Sequence, residues 1–103
     1  MVKELTNNQI YVLYNALNSL ATDYQNILIS VEEGLKLVDN INYLTPYYWE
    51  LEKTRQEMIK NDKKEELELL GNLTQKLELQ IVDLNNLKLP LNLIIGLSPL
   101  LRG

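Results

Sequence analysis

Apolar residues recur along this chain at helical intervals in three stretches and alternate with polar ones in a fourth. Ile10, Leu13, Tyr14, Leu17, Leu20 and Ala21 follow three- and four-residue steps, which places them on one stripe of a helix. Thr6-Asn7-Asn8-Gln9 precedes them as a capping box, Thr6 accepting from the Gln9 amide while the Gln9 side chain reaches back to Thr6. A helix is predicted over about 7–22.

Ser30-Val31-Glu32-Glu33 is a second capping box, its two acids well placed against the helix dipole. Beyond it Leu37, Ile41, Leu44, Tyr48, Leu51, Arg55 and Met58 alternate four- and three-residue steps, the spacing of a seam packed on another helix. This predicts a long helix over about 31–60 that forms an antiparallel hairpin with the first. Pro46 either kinks it or starts a new helix capped by Thr45; the seam keeps phase across Pro46 and favours a kinked, near-continuous helix.

Leu67, Leu70 and Leu73 predict a short third helix over about 63–75, with Gly71-Asn72 weakening it or marking its end. Leu77-Glu78-Leu79-Gln80-Ile81 alternates as a strand with one buried face does, over about 77–82. Short strands at 27–29 and 87–89 would make the β element two- or three-stranded. The uncharged segment from Leu91 to Leu101 restarts after Pro90 and suggests one or two helical turns. The expected fold is α+β and predominantly α, a single domain over 1–103 with the small β element near its C-terminus.

Composition narrows function mainly by exclusion. Ten Lys and Arg against fourteen Asp and Glu give a net charge of -4, which opposes binding to a phosphate backbone, and Lys60 to Glu66 neutralises its own basic residues. With neither cysteine nor histidine there is no thiolate, no disulfide and no usual proton shuttle. No catalytic, cofactor or metal residue is assigned, because the adjacent pairs Glu32-Glu33 and Glu65-Glu66 diverge by about 100° on a helix and read as solvated faces. An enzyme is not expected. The N-terminus turns polar too soon for a signal peptide, and no apolar run reaches the roughly 20 residues of a membrane helix, so a cytoplasmic protein is expected.

Four residues are candidates for contact with a protein partner. Tyr43 and Tyr47 are neighbours on one helix face, Trp49 falls on a more polar side, and Arg55 interrupts the seam. The packing alternative for Arg55 is a stem on the core with its guanidinium at water or a carboxylate; for Trp49 it is cover by the C-terminal segment.

The order of pieces also matters: a first helix, the Ile27 to Ser30 link, a long helix carrying YWELEKTRQEMIK, a short leucine-rich helix, LELQIVDL and a Leu-Pro-Leu tail. Over about 6–101, and chiefly at Leu51 to Lys60, this layout resembles small proteins of unassigned role encoded in tailed-bacteriophage genomes, from whose uninterrupted helix Pro46 departs. The resemblance implies a non-enzymatic phage protein acting through protein contacts in the host cytoplasm. Its partners would be other phage subunits or further copies of itself, with a place in the virion. The alternative it implies is an inhibitor that binds a host or anti-phage defence protein.

Overall fold

The computed structural model describes residues 1–24 and 28–101. They form a mostly helical protein with a two-stranded antiparallel sheet: β1 (Val2–Thr6), α1 (Asn7–Asp23), α2 (Val31–Lys60), α3 (Lys64–Asn72), β2 (Thr74–Glu78) and α4 (Leu91–Leu97), then a 3-10 turn, Ser98–Leu100. The capping box at Thr6 is complete, and Ser30 accepts from the Glu33 amide at 3.2 Å, so both helices start where their caps require. α2 runs through Pro46 as one helix of 30 residues and sets the 45 Å long dimension of the molecule.

One core cluster gathers Ile10, Leu13 and Leu17 of α1 with Leu37 and Leu44 of α2, Leu77 and Leu79 after α3, and Leu93, Leu97 and Leu100. Its surface stripe on α1 differs from the expected one at two places: Ala21 is exposed and Ala16 is buried. α4 causes the change. It lies against α1 with Gly96 so close that an added Cβ would stand 2.7 Å from that of Ala16, a spacing open only to glycine.

The β element is displaced from its expected position. The strand expected over 77–82 is instead Thr74–Glu78, and its partner is the N-terminal segment, Val2 pairing with Glu78 and Thr6 with Thr74. The ladder stops because Asn40 of α2 takes over: its side-chain amide donates to the Gln80 carbonyl at 2.8 Å and its Oδ1 accepts from the Gln80 amide at 2.9 Å. A buried side chain thus copies a strand's hydrogen bonding. Leu77 and Leu79 point into the core as the alternation requires, but Ile81 is only partly buried and Val82 and Leu84 are buried in its place, so the inward phase shifts by one residue once the ladder has ended.

α3 ends at Asn72, short of the expected 63–75, because the residues after it are claimed elsewhere. Asn7 donates from its side chain to the Leu70 carbonyl and from its backbone to the Leu73 carbonyl, and Thr74 enters the ladder. Residues 87–89 form no strand, since the Leu87 amide closes a turn onto the Leu84 carbonyl. Of the strand expected at 27–29, Ile27 lies outside the described residues, while Leu28 and Ile29 belong to no strand and Leu28 is 91% exposed.

Candidate interaction face

The four residues singled out in the sequence divide between the two sides of α2. Tyr43 and Tyr47 are half-buried against the core, their ring centroids 5.5 Å apart. The Tyr43 hydroxyl accepts from the Glu78 amide at 3.1 Å, which ties α2 to β2. The same hydroxyl neighbours Tyr47 and raises that phenol's pKa, first through a side-chain hydrogen bond. Arg55 also faces inward: its guanidinium lies 4.9 Å from the centroid of the Tyr11 ring and 3.4 Å from Glu52. The Tyr11 hydroxyl is the leading reason its pKa is raised. These three are therefore committed within the chain.

Trp49 is different. It is 61% exposed, touching Tyr48 edge-on at a centroid distance of 5.5 Å, and Tyr48 in turn stacks on Tyr14 at 4.3 Å. The C-terminal segment does not cover it, because α4 packs on α1. Burial is the leading reason that the Tyr48 phenol is raised above its ordinary pKa, with Tyr11 and Glu52 adding to it. A fixed aromatic stack thus holds the base of Trp49 while its outer surface meets solvent.

Trp49 does not stand alone on that side. At about 100° per residue, Val31, Leu35, Val38, Asn42 and Trp49 fall within an arc of roughly 60° on the face away from Leu37, Leu44 and Leu51. Val31 is 78%, Leu35 59% and Val38 50% exposed. Sequence reasoning placed Trp49 on a polar side and passed over these three. The signal was present, since 31, 35, 38 and 42 follow the same steps of four and three that revealed the inner seam, and 49 lies about two helical turns beyond 42.

A groove of about 580 Å³ lies between the start of α1, the second half of α2 and α3, with Asn7, Tyr11, Arg55, Lys64 and Glu68 among its walls. Asn7 and Arg55 are already hydrogen bonded inside the protein. Among the described residues no three His, Cys, Asp or Glu side chains are grouped to hold a metal ion, and no helix is long and apolar enough to cross a membrane. Comparison of the chain with family models, with curated proteins and with solved structures finds no match.

Proposed function

We propose that the protein works by binding another protein subunit through the outer face of α2, with Trp49 as its anchor. The observation that carries this reading is the exposure of Val31, Leu35, Val38 and Trp49 on one face of a helix whose opposite face already fills the core. Ordinary surface helices alternate one apolar and one polar face, and large exposed aromatic and aliphatic residues in one line mark association sites. The layout resembling tailed-phage proteins supplies the setting: a non-enzymatic subunit packed among others, in the virion. Mass spectrometry of purified particles tests that setting, with stoichiometric presence supporting it and absence overturning it. Trp49→Glu is expected to remove the protein from those particles while leaving its circular dichroism unchanged.

The finer architecture belongs to the same proposal. We read α1 and α2 as an antiparallel hairpin, Tyr11 facing Arg55 and Tyr14 facing Thr45, with a bend where Pro46 withholds an amide from the Asn42 carbonyl. Such a bend turns Asn42 and its neighbours outward at the centre of the proposed face. Pro46→Ala is expected to straighten the helix, measured by small-angle scattering; an unchanged profile counts against the bend.

A further inference from the structure

Resting on that reading, we propose that the occupant of the outer α2 face is a second copy of this chain, bound antiparallel about a two-fold axis at the Asn42–Tyr43 step. The argument is the order of charges along one edge of the stripe. Glu32 and Lys53 flank that edge at helical spacing. They lie equally far from the Asn42–Tyr43 step, on opposite sides of it. A two-fold axis there brings Glu32 of each copy to Lys53 of the other.

Two of the apolar residues obey the same symmetry. Leu35 and Trp49 lie nearly equidistant from the step on opposite sides, so each Trp49 meets Leu35 and Val38 of the other copy. Asn42 meets itself at the axis, the position where a single polar residue in an apolar seam fixes register. Among the described residues Lys53 forms no ion pair, and Glu32 has only the 3.8 Å contact with Lys36. Lys36 is committed to Glu33 at 3.0 Å and Asp39 to the Gln80 side chain at 2.9 Å.

A parallel pairing fails on the same charges. It would set this edge against the other one, where Gly34, Ile41, Thr45 and Tyr48 carry no charge and Glu52 is taken by Arg55 and Gln56. Only the antiparallel arrangement pairs Glu32 with a base of the partner.

Sedimentation equilibrium of the intact chain provides the first measurement, and a dimer is expected. Lys53→Glu should weaken association on the order of tenfold, and adding Glu32→Lys to it should restore the dimer. Both positions are exposed, so folding is preserved, which circular dichroism checks. The absence of native cysteine allows a second measurement. Asn42→Cys should oxidise to a disulfide-linked dimer, and Glu32→Cys should cross-link to Lys53→Cys in a mixture but not to itself. A wild-type chain that remains monomeric at the highest concentration reached overturns the proposal, as does efficient self-cross-linking of Glu32→Cys. If that monomer still loses its place in particles on Trp49→Glu, the second copy is excluded and the binding role of the face stands.

Discussion

On its inner side α2 presents Leu37, Leu44 and Leu51, all buried, the first two in one cluster with α1 and the segment after α3; on its outer side it presents Val31, Leu35, Val38 and Trp49, each at least half exposed. The two rows share apolar chemistry and helical spacing. Periodicity therefore identifies which residues share a face and leaves open what covers it. Cover comes from residues distant in the chain, and here α1 reaches only one side.

Truncation in the inner row is expected to have the largest effect. Leu44 is fully buried, and Leu44→Ala should cost about 2–5 kcal/mol in urea denaturation by loss of apolar transfer and opening of a cavity. A loss below about 0.5 kcal/mol, the range of an ordinary surface substitution, would remove the distinction between the two rows.

Asn40 comes next and shows that the inner face is not sustained by leucines alone. Its side chain is 1% exposed and holds both backbone groups of Gln80, so Asn40→Ala should cost about 1–3 kcal/mol and speed exchange of the Gln80 amide. Unaltered exchange at Gln80 would show the clamp to be weak. Nothing in the sequence singled out Asn40 or Asn7, because asparagine is usually a surface residue and their partners lie at Gln80 and Leu70, far along the chain. Local signals fared better. Thr6 with Gln9 and Ser30 with Glu33 fixed two helix starts, since a cap needs only residues three apart. The alternation after Leu77 found buried residues but could not name β1 as partner, since pairing across the chain leaves little trace in one strand. Trp49 was legible as an unusual residue and its row was not, because Asn42 and Thr45 interrupt the apolar spacing between Val38 and Trp49.

A smaller effect is expected at alkaline pH. Tyr47 and Tyr48 have raised folded-state pKa values, so folding favours the neutral phenol. Their contribution is present in full below the ordinary tyrosine pKa of about 10 and is lost as pH rises through the folded-state values. Stability should fall over that window, and Tyr48→Phe should flatten part of the fall. An unchanged slope in Tyr48→Phe would separate the aromatic stack beneath Trp49 from the titration.

Arg55 sharpens the contrast from the polar side, as a charged residue that belongs to the inner face. Arg55→Met keeps an apolar stem and gives up the contact with Tyr11, for an expected loss of about 0.5–1 kcal/mol. Its sedimentation should match wild type. A change in association would move Arg55 to the interaction face.

The smallest effect on the isolated fold is expected in the outer row. Leu35 is 59% exposed, so Leu35→Ser should alter stability by less than about 0.5 kcal/mol at low protein concentration. If a second copy covers this row, folding and association are linked, and the wild-type melting temperature rises with protein concentration. Leu35→Ser should abolish that rise while leaving the dilute value in place. The same substitution would thus be silent in one measurement and decisive in the other, which no inner-row residue can be, since losing Leu44 lowers stability at every concentration.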